Sequence, residues 1–75
     1  MARLTDVLER RRLVRLTEQL AQELRVQLGI MYSTDSVEDV ELWRRAARRA
    51  GRQLGICIRT GVSRDGTRVW ASEGP

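Results

Sequence analysis

From Leu4 onward, apolar side chains fall at Leu4, Val7, Leu8, Leu13, Val14, Leu16, Leu20, Ala21, Leu24 and Leu28. The spacings are mostly three and four, as on one face of a helix, and Val7, Val14, Ala21 and Leu28 stand a strict seven apart. Thr5 suits the N-cap, with Asp6 and Glu9 in the first turn where the helix dipole favours negative charge. At the other end Gly29 followed by Ile30 has the pattern of a left-handed cap. A first helix is therefore expected over about 5–28. Residues 30–33 could form a short strand, and the polar run Ser33-Thr34-Asp35-Ser36 reads as a turn.

A second helix is expected over about 36–54. It opens at Asp35 or Ser36, each with an acid three residues on, Glu38 or Asp39, in a capping-box pattern. Val37, Val40, Trp43, Ala47, Ala50 and Leu54 make its apolar face. Ala46 with Ala50, and Ala47 with Gly51, place small residues one turn apart, which lets another element approach closely. Gly55 is the better stop than Gly51. The sequence Gln27-Leu28-Gly29-Ile30 recurs as Gln53-Leu54-Gly55-Ile56 and reads as one cap used twice. Beyond it the period changes to two: Ile56, Ile58, Thr60 and Val62 alternate with Cys57, Arg59 and Gly61. Asp65-Gly66 is a dipeptide of tight hairpin turns, and Thr67–Ala71 reads as the return strand. The hairpin is expected over about 56–71, with a loose tail at 72–75. The fold class is small α+β, a single domain over residues 1–75 of two helices and a C-terminal β-hairpin.

Length limits what this pattern can bury. A chain of 75 residues with Trp43, Trp70 and Tyr32 as its aromatics has a thin core, and chains of this size usually add disulfides, a metal or a second subunit. Cys57 is the single cysteine and there is no histidine, so neither a disulfide nor a metal site is expected. A homodimer is the remaining option. A helix over 5–28 spans about 36 Å, more than the globule covers by itself. Leu13, Leu16, Leu20 and Leu24 are the expected dimer contacts. No run approaches the roughly 18 apolar residues of a membrane span, and the N-terminus has no secretory h-region. A soluble chain is expected, with the cytoplasm as the default compartment.

Charge supplies the functional clue. Residues 44–75 carry eight arginines against two acids, Asp65 and Glu73, for a net +6, while the first 43 residues carry −2. All fourteen basic residues are arginine, a bias that a GC-rich genome would also produce; their clustering carries more weight than their type. Arg44, Arg45, Arg48, Arg49 and Arg52 span an arc of about 140° at the helical step of 100°. Guanidinium forks suit phosphate oxygens and guanine edges. The same arginines also suit the C-terminal end of a helix dipole, with Glu38, Asp39 and Glu41 at its start. Arg59, Arg64 and Arg68 place further charge on the hairpin. A basic helix followed by a basic hairpin is similar to the recognition helix and wing of winged-helix proteins. The connection from Gly29 to about Asp35 is longer than the 3–4-residue turn of a helix-turn-helix, and no family is assigned on it.

Other residues have plainer readings. Arg10, Arg11, Arg12 and Arg15 stand at pairing distance from Asp6, Glu9 and Glu18 on one helix. Trp43 belongs to the apolar stripe. Trp70 could cover Gly61, pack under a helix, or stay exposed for base stacking. Cys57, in an alternating strand, reads as a packing residue. With no histidine and no phosphate-cradling glycine loop, enzyme chemistry is not expected, and no cofactor is implied. The expected function is nucleic-acid binding, DNA before RNA, in transcriptional, phage, plasmid or nucleoid regulation. The alternative is a protein-interaction adaptor or inhibitor that docks through the first helix or presents the basic face to an acidic partner.

Overall fold

The computed structural model describes residues 4–74, the side chain of Thr5 excepted. Its elements are α1 (Leu4–Val26), β1 (Gly29–Ser33), a single 3-10 turn (Thr34–Ser36), α2 (Val40–Leu54), β2 (Ile58–Val62) and β3 (Arg68–Glu73). The expected α+β arrangement of two helices and a hairpin is present, and the short strand between the helices forms too. β3 lies in the middle of an antiparallel sheet of order β1-β3-β2. The register pairs Ile30 with Ala71 and Tyr32 with Val69 on one side, and Thr60 with Ala71 and Val62 with Val69 on the other.

Alternation along the strands divides the sheet into two faces. Ile30, Val69 and Ala71 are buried on the inner face, with Tyr32 and Ile58 packed against them. Both helices cover that face. α1 runs along α2, while α2 lies over β2 and β3. Among the described residues no helix covers the outer face, which carries Met31, Arg59, Arg68 and Trp70. The Trp70 indole lies over Gly61, where a Cβ would stand 2.7 Å from the ring. Trp70 thus covers Gly61 and does not pack under a helix, and it is half-buried on the open face.

The core is built on small residues. Ala46, Ala47, Ala50 and Gly51 are all buried on α2, and a Cβ on Gly51 would stand 2.4 Å from the Ile58 side chain. The helix therefore sits directly on β2, and the one large residue of its stripe, Trp43, fills the space beside them at 1% exposure. Its ring meets Tyr32 at a centroid distance of 5.3 Å. From α1 come Leu13, Leu20, Ala21 and Leu24, together with Thr17, whose buried hydroxyl donates to the Leu13 carbonyl at 2.6 Å.

This core takes up most of the leucines expected at a dimer contact. Leu13, Leu20 and Leu24 are buried within the one chain, and Leu16 is packed against the same cluster. The apolar surface that α1 leaves open is a different one, made of Leu4, Val7, Leu8 and Val14. Val7 and Val14 flank the covered face, on the seven-residue line of the buried Ala21, and Leu4 and Leu8 lie further round the helix.

Several boundaries move for identifiable reasons. α1 stops at Val26 and Gly29 opens β1. Positive φ occurs at Gly55 (72°) and Gly66 (75°) but not at Gly29, so the left-handed cap is formed at the second of the two Gln-Leu-Gly-Ile sequences only. The Leu28 carbonyl accepts from Glu73 N at 2.8 Å, and this pairing with β3 draws Gly29 into extended backbone. Asp35 and Ser36 do not cap α2; they form the 3-10 turn, itself capped by Ser33. The N-cap is Asp39, whose carboxylate accepts from Leu42 N at 3.1 Å. The strand between the helices rules out the short turn of a helix-turn-helix. Residues 72–73 are not a loose tail but the end of β3, and Gly74 N donates to the Cys57 carbonyl; Pro75 lies outside the described residues. Cys57 is exposed and precedes β2, so it is not the packing residue its alternating neighbours implied. Thr5, the expected N-cap of α1, lies in the helix, and its side chain is not among those described.

The Tyr32 hydroxyl ties the sheet to α1. It donates to a Glu23 carboxylate oxygen at 2.5 Å and accepts from Gln19 Nε2 at 2.9 Å. Burial, and then the hydrogen bond to the anionic Glu23, push its pKa from 10 to about 12. Because the folded value lies above the unfolded one, the stabilisation is fully present below pH 10 and is lost as pH rises through 12. Tyr32 is the one tyrosine of the chain, so phenolate absorbance reports it directly. The titration midpoint is expected near 12, dropping toward 10 in Glu23→Gln. A midpoint at 10 in the wild type would contradict the network.

Candidate nucleic-acid interface

From Leu42 to Arg64 the chain holds seven arginines and no acid. α2 displays five of them because its other side is occupied by the buried alanines, Gly51 and Trp43. The helix itself is well terminated. Asp39 and Glu41 stand at its N-terminus, Arg52 is in its last turn, and Gly55 closes it with a left-handed residue whose N–H donates back to Arg52 and Gly51 carbonyls. Charge complementarity to the helix dipole thus accounts for part of the pattern. It does not account for an arginine excess distributed over three turns.

The five arginines separate into groups. Arg44 is half-buried and engaged: Nη1 meets Glu41 at 3.2 Å and Nη2 donates to the Thr60 carbonyl at 3.3 Å. Its Nε is buried with no hydrogen-bond partner. This guanidinium clamps α2 to the edge of β2, which leaves it poorly placed to meet a phosphate. Arg45 lines a groove with Asp6, Glu9, Arg10 and Leu42, so acids of α1 stand close to it. Arg48 and Arg52 are exposed and Arg49 is half-buried. None of these three makes an ion pair among the described residues; the pairs that do form are Arg12–Glu38 at 3.6 Å and Arg44–Glu41. The pair from Arg12 reaches across to the segment before α2 rather than along α1, while Arg10 lies beside Asp6 and Glu9.

The hairpin arginines occupy other places. Arg59 and Arg68 stand on the outer face of the sheet, away from the helix layer. Arg59 lies beside Gly74, and Arg68 Nη1 is 3.9 Å from the Met31 sulfur. Arg64 is exposed at the tip of the loop between β2 and β3. That loop is longer than a two-residue turn: Ser63 N donates to the Arg68 carbonyl and Gly66 N to the Ser63 carbonyl. Asp65 holds it by accepting from the Ser63 hydroxyl at 2.7 Å, Thr67 N at 3.1 Å and the Thr67 hydroxyl at 2.8 Å. Those bonds, the Ser63 hydroxyl first, lower its pKa to about 2.

The structure thus gathers Arg48, Arg49 and Arg52 into one ridge. It puts Arg59 and Arg68 with Trp70 on a second surface across the sheet. The signal for that division is in the sequence, because Arg59 alternates with Ile58 and Thr60, and Arg68 with Val69. The role of Arg44 had no local signal, since the carbonyl it grips is sixteen residues away. Comparison with known proteins finds no family model, no curated protein and no solved structure that matches the chain.

The two kinds of arginine are separable by mutation. Arg44→Ala is expected to lower stability by about 1 kcal/mol through the lost carbonyl and carboxylate contacts. Arg48→Ala is expected to shift it by less than about 0.5 kcal/mol. Urea midpoints check both values, and equal losses would contradict the division.

Proposed function

We propose that the chain is a small nucleic-acid-binding module that meets duplex DNA through the ridge of Arg48, Arg49 and Arg52. The observation that carries this reading is that Arg48, Arg49 and Arg52 lie along the open side of α2 and make no ion pair among the described residues. Such a ridge places positive charge at the spacing of a rigid rod, and phosphate contacts of this kind supply most of non-specific affinity. Arg45 and Arg64 flank the ridge at its α1 side and at the hairpin tip, and Arg44 acts by positioning α2. DNA is preferred to RNA because the ridge is helical and the wide major groove admits a helix. A regulatory or nucleoid role in transcriptional, phage or plasmid biology follows from binding of this type.

A second reading has its own observation. Leu4, Val7, Leu8 and Val14 are exposed on α1, and covering the apolar area they leave in water is favourable by about 25 cal/mol per Å². A protein partner with an apolar groove would take this stripe, making the chain an adaptor.

Salt dependence separates the two. On duplex DNA the logarithmic slope of affinity against salt is expected at about −0.9 per phosphate met. Arg48→Ala combined with Arg52→Ala is expected to weaken binding and flatten the slope by about 2 per chain, with the fold intact by circular dichroism. Gel shifts with duplex DNA, single-stranded DNA and RNA at low salt are the check. No shift with any of them would end the nucleic-acid reading and favour the adaptor.

A further inference from the structure

The two edges of the sheet are treated differently. On the β2 side the hydrogen bonds from Ser63 N to Arg68 O and from Gly74 N to Cys57 O bracket the ladder. By antiparallel alternation Ile58, Thr60 and Val62 then turn their backbone groups outward. Arg44 reaches one of those outward carbonyls, that of Thr60. This edge is capped by a charged side chain, one of the ways proteins stop edges from pairing.

The β1 edge has no such device. The bonds from Thr34 N to Thr67 O and from Glu73 N to Leu28 O bracket its ladder with β3. Gly29, Met31 and Ser33 therefore point their N–H and C=O groups away from the sheet. The strand Gly-Ile-Met-Tyr-Ser holds no charge and no proline, and residues 26–34 are uncharged throughout in a chain of which 32% is charged. Val26, Leu28 and Met31 are exposed around it at 83%, 60% and 58%. Next to it α1 presents Gln19, Gln22, Glu23, Val26 and Gln27 beside Ile30, a flank in which the Tyr32 hydroxyl engages Glu23 and the glutamine amides can pair with their own copies.

We propose that two copies of this chain associate through β1, antiparallel about a two-fold axis at Met31, to make one continuous six-stranded sheet. The outward groups suit this register. Met31 faces Met31 of the second copy, and Gly29 faces Ser33 in both directions, so three residues on each strand supply about six backbone hydrogen bonds. The Ser33 carbonyl already accepts from the Ser36 hydroxyl at 2.7 Å, and its second lone pair remains for the partner. A second copy fits this edge better than a foreign strand because the edge is self-complementary and residues 26–34 carry no charge of their own. The nearby Arg68, whose Nη1 lies 3.9 Å from the Met31 sulfur, has a long side chain on the outer face that can swing away from the axis. The α1 ridges run side by side near the axis, and both arginine ridges stay open. The proposal rests on backbone geometry rather than on the nucleic-acid reading, so the two fail separately.

The test is molar mass by light scattering at micromolar concentration, on wild type, Met31→Pro and Met31→Lys. Proline removes an outward N–H that no bond within the chain uses, a substitution edge strands tolerate. Lysine keeps the N–H, replaces an exposed side chain, and sets like charges opposite each other at the axis. The expected result is a two-chain mass for wild type and a one-chain mass for both variants, with unchanged circular dichroism. In the wild type, the Met31 amide is expected to exchange more slowly as protein concentration rises. Should Met31→Pro unfold, Met31→Lys alone decides. A one-chain mass for wild type overturns the proposal, as does a two-chain mass in Met31→Lys. Dissociation by Val7→Glu with Leu8→Glu but not by Met31→Lys also overturns it, by moving the contact to α1.

Discussion

The close approach of α2 to the sheet holds this molecule together. Gly51 and the alanines at 46, 47 and 50 present almost no side chain, so the helix axis lies close enough for Ile58 to touch its backbone. A side chain at residue 51 would meet Ile58 at under 3 Å, and extra atoms in a packed core cost about 1–3 kcal/mol. Because α2 lies so low, Trp43 can reach Tyr32, and the leucines of α1 can close over both. One face of α2 is thereby committed entirely to packing. Its arginines are left on the other side, where the helix body fixes their spacing.

That arrangement explains which features were legible from the chain. Periodicities of 3.6 and 2 located both helices and the hairpin, and the one-turn spacing of small residues foretold a close contact. Gly29 and Gly55 show where local reading fails. Both follow the same two residues and precede isoleucine, yet one opens a strand and the other caps a helix, because pairing between Leu28 and Glu73 decides the first. Leu13, Leu20 and Leu24 show the same failure at the level of packing. An apolar stripe states that something covers it, but whether α2 or a second copy does so depends on the tertiary fold. The stripe of α1 also proved to be two stripes, one facing α2 and one of Leu4, Val7, Leu8 and Val14 facing outward.

The candidate site was legible in the same partial way. The arginine cluster stood out by composition, while its internal division did not. Arg44 was indistinguishable from Arg48 in sequence, since the Thr60 carbonyl that engages it comes from a strand after the next turn. Arg59 and Arg68 could have been set apart by strand alternation, which sends them to the face that carries Trp70. The surface therefore holds a helical ridge, an open sheet face and an uncharged sheet edge, each with its own chemistry.

On the proposed function Arg48, Arg49 and Arg52 meet phosphate, while Arg44 stays on the Thr60 carbonyl and serves the fold. Arginine Nε–H resonances of isotope-labelled protein, followed by NMR during titration with duplex DNA at low salt, test it residue by residue. The account predicts that the signals of Arg48, Arg49 and Arg52 move with added DNA and that the signal of Arg44 stays nearly fixed. Shifts confined to backbone signals of Leu4–Val14, or no shift at any arginine, would contradict it.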